Sequence, residues 1–183
     1  MNNYFIAIKL PSDIVASVFS VGAQINEFSK STIVSYENLH ISLKFLGGAL
    51  SDRQVEEVKS ALQSIKSKIF LIQLRGIGAF PSQQFARVIW LGVEESKPLF
   101  GLRKQIDAVL PPLSQADVHN FVPHLTLSRI ISVFDKLKMA RFFKLYKKTD
   151  FGVFEVKEFY FMMSKTSKIR TTYEVLASYS LVN

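Results

Sequence analysis

The pattern His-x-[Ser/Thr]-Leu occurs twice in this chain, as His40-Ile41-Ser42-Leu43 and His124-Leu125-Thr126-Leu127, and two of its three histidines lie in it. A histidine is followed by x-[Ser/Thr]-Leu in roughly one case in a hundred at ordinary residue frequencies, so a chance double occurrence is improbable. Both copies sit in apolar, β-branched or aromatic stretches, Leu39 to Leu46 and Phe121 to Ile131, which read as strands. Strand side chains alternate between faces, so His40 and Ser42 point one way while Ile41 and Leu43 point to the core. His124 and Thr126 repeat the arrangement. The copies are 84 residues apart, too far for a solenoid repeat and suited to one internal duplication. The fold must therefore hold two like strands, each offering an imidazole and a hydroxyl on one face.

Brought side by side, two such strands carry the equipment for moving protons on and off oxygen. Histidine titrates near neutral pH, so one imidazole can accept a proton from an attacking water while its protonated partner donates to a departing alkoxide. The hydroxyls can hold the non-bridging oxygens of a phosphoryl group as negative charge moves onto them. This scheme requires no metal and no cofactor. A single strand histidine is more often a satisfied structural residue, and it is the repetition that favours the catalytic reading here.

With 183 residues, 48% hydrophobic and 21% charged, the chain has the length and composition of one folded domain, expected to span 1–183 as two pseudo-symmetric lobes. Cysteine is absent, which excludes a disulfide scaffold and any Cys-ligated zinc or iron–sulfur site, and fits a reducing compartment. No apolar run approaches the length of a membrane span and the N-terminus carries no secretory pattern, so a cytoplasmic monomer with no membrane partner is expected.

The net charge of +8 is unevenly placed: residues 129–170 hold eleven Lys and Arg against four Asp and Glu. The basic run passes through Lys136, Lys138, Arg141, Lys144, Lys147 and Lys148 and resumes at Lys165, Lys168 and Arg170. Three readings stand: a solvated helix face, a footprint for RNA with Lys138, Arg141, Lys144 and Lys148 at its centre, and an anionic membrane surface. The third rests on the stripe Met139, Phe142, Phe143 and Tyr146, which is more often core packing.

Along the chain, a strand at Tyr4 to Leu10 precedes a helix capped by Ser12 and carrying Val15, Val18, Phe19, Ile25 and Phe28 inward. Ser51 and Gln54 form a capping-box pattern before a helix with Val55, Val58, Leu62 and Ile65 at helical spacing. Strands at Phe70 to Ile77 and Val88 to Val93 flank a turn region Gly78-Ala79-Phe80-Pro81-Ser82. Ser96 and Pro98 open a third helix ending before Pro111-Pro112. A basic helix of about 133–147 and long strands at 152–163 and 173–182 follow. The alternation predicts an α+β, or mixed α/β, bilobal fold in which two duplicated βαβ-like halves present antiparallel-rich sheets across a central groove.

At these residues the chain resembles a known family. His40-Ile41-Ser42-Leu43-Lys44-Phe45-Leu46-Gly47 and Pro123-His124-Leu125-Thr126-Leu127-Ser128-Arg129 are similar to the paired motifs of the two-histidine phosphoesterases, and most of all to the RNA 2′,3′-cyclic phosphodiesterase group, formerly called 2′-5′ RNA ligases. Gly78-Ala79-Phe80-Pro81, Arg87-Val88-Ile89-Trp90-Leu91-Gly92-Val93, and Ser164 with Tyr173-Glu174-Val175-Leu176 extend the resemblance over nearly the whole chain. It implies a metal-independent site that hydrolyses an RNA 2′,3′-cyclic phosphate, or a cyclic nucleotide, to a 2′-phosphate, with reversible 2′-5′ ligation as an accompanying activity. It further implies His124 as general base, His40 as general acid, and Ser42 and Thr126 as ligands of the phosphoryl oxygens.

Arg129 matches a family arginine near the phosphate, yet it lies an odd number of residues from His124, so strict alternation aims it at the opposite face unless a strand end or a bulge turns it back. Lys44 shares the face of His40 and Ser42 under strict alternation and is a second phosphate-binding candidate. His119 reads as a loop residue. Three alternatives remain open. A related two-histidine enzyme could act on another cyclic phosphate, such as that of ADP-ribose, or on an oligonucleotide 3′ end. A non-catalytic RNA-binding module would leave both motifs unexplained, and a zinc hydrolase would lack ligands.

Overall fold

The computed structural model describes residues 2–110, 121–166 and 171–182. His119, the Pro111-Pro112 helix stop, Lys168 and Arg170 lie outside them. The elements in order are β1 (Asn2–Lys9), α1 (Ser12–Ala23), β2 (Ser29–Ile33), β3 (His40–Gly48), α2 (Asp52–Leu62), β4 (Phe70–Phe80), β5 (Val88–Val93), α3 (Lys97–Val109), β6 (His124–Val133), α4 (Lys136–Tyr146), β7 (Asp150–Val156), β8 (Glu158–Thr166) and β9 (Thr171–Ser180). This is the expected mixed α+β class.

The hydrogen-bonded strand order is β7-β4-β5-β6-β3-β1-β8-β9, with β2 also on β6. All the ladders between these strands are antiparallel. The central strands β3 and β6 meet through a single residue pair, Ile41–Leu125, so the two expected sheets are halves of one nine-stranded sheet. That junction brings the two histidine motifs side by side. The helices tie the halves together: α1, which follows β1, packs on β6 and β7, and α3, which follows β5, packs on β3 as well as β4. One large core results, with Ile41, Leu43, Leu125 and Leu127 buried in it as the alternation predicts.

Local chemistry accounts for most helix ends. Ser51 and Gln54 form the full capping box of α2, the Ser96 hydroxyl accepts from the Leu99 N–H at the start of α3, and Asp135 accepts from the Lys138 N–H at the start of α4. At α1 the expectation fails. Ser12 is the first helical residue, and the first intrahelical bond runs from the Val15 N–H to the Pro11 carbonyl, so Pro11 holds the cap position without a side-chain bond. Phe19 is 39% exposed instead of inward and meets Tyr36 edge-on.

Two strand expectations also change. The region 152–163 is not one strand: it breaks at Lys157 into β7, which pairs with β4, and β8, which pairs with β1 toward the opposite edge. Gly78, Ala79 and Phe80 are not a turn but the end of β4, paired with Trp90, Ile89 and Val88. Gly78 answers a packing need, since a Cβ there would sit 2.3 Å from the Trp90 ring. In α4, Met139, Phe142 and Phe143 are buried, so the stripe read as a membrane face is core packing.

Candidate active site

β3 and β6 each carry one extra residue at the same place in the motif. Against β1, Ser42 lies opposite Ala7 and Lys44 opposite Ile6, which leaves Leu43 bulged. Against β5, Thr126 lies opposite Trp90 and Ser128 opposite Ile89, which leaves Leu127 bulged. A bulge resets the alternation by one residue. Phe45 and Arg129 are thereby turned onto the face of the histidines, while Lys44 and Ser128 are turned into the buried side. Arg129 thus joins the site by the route that its odd spacing required. The expectation for Lys44 is corrected: it is 4% exposed, and its ammonium pairs with Asp107 Oδ1 at 2.7 Å on α3, away from the groove.

His40, Ser42, His124, Thr126 and Arg129 line one groove of about 610 Å³, with walls from β1, β4, β8 and β9. Lys138, Arg141 and Lys144 of α4, and Lys148 beyond its end, do not line it. A cavity of about 700 Å³ elsewhere is lined by Lys138, Arg141, Lys144, Gln24, Glu27 and Phe28 and holds no histidine; chemistry, not volume, selects the groove. Lys138 pairs with Glu27 at 2.9 Å, and Lys148 is exposed.

The imidazoles are held identically. His40 Nδ1 lies 2.7 Å from the carbonyl oxygen of Asn38, and His124 Nδ1 lies 2.7 Å from that of Val122. A carbonyl only accepts, so each Nδ1 carries the proton and donates it, leaving Nε2 as the nitrogen that can take or give a proton. Aromatic rings fix the planes: Phe5 and Tyr173 lie 5.0 and 5.3 Å from His40, and Phe80 lies 5.0 Å from His124, edge-on. Trp90, at 6.1 Å, backs His124. Motif reasoning misses the ring wall Phe5, which nothing local distinguishes from a core aromatic, and gives no role to Phe45 and Phe80 although both lie in stretches that carry the family resemblance. Ser164 and Tyr173, which belong to the family resemblance, are groove residues.

Burial lowers the pKa of His40, the bond to Asn38 raises it, and the positive charges of His124, Arg129 and Lys9 lower it further. His124 is likewise lowered by burial and by Arg129, against the raising effect of its bond to Val122. Burial raises the Tyr173 hydroxyl, partly offset by Arg129. Arg129 thus bears on both histidines and on Tyr173. Arg129→Ala removes a charge that holds both histidines down, so both pKa values should rise. A pH profile of kcat/KM governed by this pair should then move as a whole to higher pH while KM increases. Arg129→Lys keeps the charge and should leave the profile in place. A profile that Arg129→Ala does not move would show that the guanidinium does not act on the pair.

Among the described residues no group of three or more His, Cys, Asp or Glu is placed to hold a metal ion, and no helix is long and apolar enough to cross a membrane.

Comparison with known proteins bears on the family and the fold. A family model described as AKAP7 2′5′ RNA ligase-like domain matches residues 2–181. The chain is 33% identical over 175 residues to the RNA 2′,3′-cyclic phosphodiesterase of Methanocaldococcus jannaschii, covering 94% of this chain and 96% of that protein. It is 30% identical to the protein of the same name from Aquifex aeolicus, covering 81% and 80%. Among solved structures it superposes on a Thermus thermophilus protein with a TM-score of 0.80 at 21% identity, covering 97% of both chains. It superposes on Escherichia coli LigT in apo form with a TM-score of 0.77 at 23% identity, covering 100% and 98%. At those identities the structural matches speak to the fold.

Proposed function

We propose that this chain, which belongs to the 2′-5′ RNA ligase-like family of two-histidine phosphoesterases, hydrolyses the 2′,3′-cyclic phosphate at RNA ends to a 2′-phosphate without a metal. The observation that carries the reading is the pair of histidines with both Nδ1 atoms tied to backbone carbonyls in one groove, each beside a hydroxyl two residues on.

In the proposed reaction His124 Nε2 accepts a proton from water as the water oxygen bonds to phosphorus. The bond from phosphorus to O3′ breaks, and His40 Nε2 donates its proton to O3′. The products are a 3′-hydroxyl and a 2′-phosphomonoester, with the proton ending on His124 and returning to His40 through solvent. Ser42 and Thr126 donate hydrogen bonds to the non-bridging oxygens, and Arg129 balances their charge. Both histidines are lowered in the free protein, so the phosphodiester anion itself assists catalysis by favouring the protonated form of His40.

The groove draws its functional residues from both halves of the chain, which supports reading 1–183 as one domain that works as a monomer, and the absence of cysteine fits the cytoplasm. The test is hydrolysis of a small 2′,3′-cyclic nucleotide with and without exhaustive chelation. Equal turnover, with a 2′-phosphate as product, is expected. Loss on chelation, restored by one divalent ion, would overturn the metal-free scheme.

The exposed basic face of α4, continued by Lys148 just past its end, is proposed to follow the RNA chain outside the groove. Neutralising Lys138, Arg141, Lys144 and Lys148 together should weaken binding of an oligonucleotide ending in a cyclic phosphate. The log–log dependence of that binding on salt should flatten by about 0.7 for each RNA phosphate that is no longer neutralised. Turnover of a cyclic mononucleotide should be unchanged. Equal loss on both substrates, or on neither, would remove this role.

A further inference from the structure

We infer that Arg103 is a positioning residue that sets the two histidine strands relative to each other. The inference rests on the catalytic reading above. The Arg103 side chain, on α3, is 13% exposed. Its Nη1 donates to the carbonyl of Leu43, the bulged residue of the first motif. Its Nε donates to Asp107 Oδ2 at 2.7 Å, and its guanidinium carbon lies 5.1 Å from the centre of the Phe121 ring. Leu43 follows Ser42 directly, and Phe121 precedes Val122, whose carbonyl holds His124 Nδ1. One side chain therefore touches the chain next to each half of the site.

The two bulges are secured differently. The Leu127 carbonyl accepts from the Val34 N–H at 2.9 Å, and the Ser128 hydroxyl donates to the Thr32 carbonyl at 3.2 Å, so the second bulge is held largely by the chain running on from β2. The first bulge is held by side chains, Arg103 on Leu43 and Lys44 on Asp107. Burial alone would raise the Asp107 carboxyl, but hydrogen bonds from Arg103 and Lys44 outweigh it and hold it below the usual carboxylate range. Asp107 thus stays charged and fixes both cations. Only a planar guanidinium can serve a carbonyl, a carboxylate and an aromatic face together; an ammonium on a flexible stem cannot.

Arg103→Met keeps an unbranched stem of similar reach and leaves Asp107 paired with Lys44; Arg103→Lys keeps the charge and serves if the first variant does not fold. With 2′,3′-cyclic CMP, kcat should fall by at least ~tenfold with KM within about threefold, since a small misplacement of catalytic groups costs rate before it costs binding. The Hε1 proton resonances of both His40 and His124 should shift in the same variant. Arg53→Met, which breaks a surface pair with Glu57 on α2, should leave both readouts unchanged. Unchanged kcat with a lowered Tm would reduce Arg103 to a structural residue, and a shift of one histidine alone would overturn the coupling. If the parent protein does not turn over cyclic nucleotides, it is the catalytic reading that fails, and the resonances still test the positioning.

Discussion

His40→Ala and His124→Ala should each lose on the order of 10² to 10⁴ in turnover, as removal of a general acid or base does, with the fold retained. Both rings are backed by aromatic walls and hydrogen-bonded to a carbonyl two residues away, so neither bond ties together distant parts of the chain. Wild-type turnover in either variant would sink the two-histidine mechanism. The roles separate with a substrate bearing a better leaving group than the ribose 3′-oxygen. Such a substrate needs no proton donor, so it should rescue the variant lacking the acid, His40→Ala, and not His124→Ala. The reverse pattern would exchange the assignments.

Gly78→Ala should destabilise the protein by about 1–3 kcal/mol, the usual cost of overpacking, and should lose activity as well. The new Cβ would sit 2.3 Å from the Trp90 ring, which is a rigid plane and not a flexible tip. That ring also packs against Phe80, and both Trp90 and Phe80 bear on His124. Displacing it misplaces the proposed base. Trp90 is the only tryptophan, so its emission reports the displacement directly. Gly101→Ala, in α3 with nothing within 4 Å of its Cβ, should be neutral or stabilising by up to about 1 kcal/mol. Unchanged stability and emission in Gly78→Ala would mean that the ring does not pack there.

What the sequence made legible was what repeats locally. Two copies of a short pattern, each with the period of a strand, were enough to place His40, Ser42, His124 and Thr126 on one face, and capping residues located the starts of α2 and α3. The error over Lys44 and the difficulty over Arg129 have one cause. A bulge is decided by the partner strand, and no residue at Leu43 or Leu127 announces it. The same holds for the break at Lys157, where residues of continuous β character serve two distant neighbours. β2, whose sequence is Ser-Lys-Ser-Thr-Ile, is a strand because β6 offers it an edge and not because of its composition. The turn expected at Gly78 failed because glycine can serve a neighbour's bulk as readily as a backbone conformation.

The strand order also has a consequence for how the protein is made. β1 lies between β3 and β8, with Asn2 opposite Lys165 and Ala7 opposite Tyr160. During synthesis, at roughly 5–20 residues per second, the first strand therefore lacks one neighbour until Glu158–Thr166 has been made. Until β8 and β9 emerge, the Phe5-Ile6-Ala7-Ile8 edge is an unpaired hydrophobic template, and the Tyr173 wall behind His40 does not exist. The groove is thus completed only once Thr171–Ser180 has been made, so a nascent chain that stops short of it carries both histidines without the wall that encloses His40.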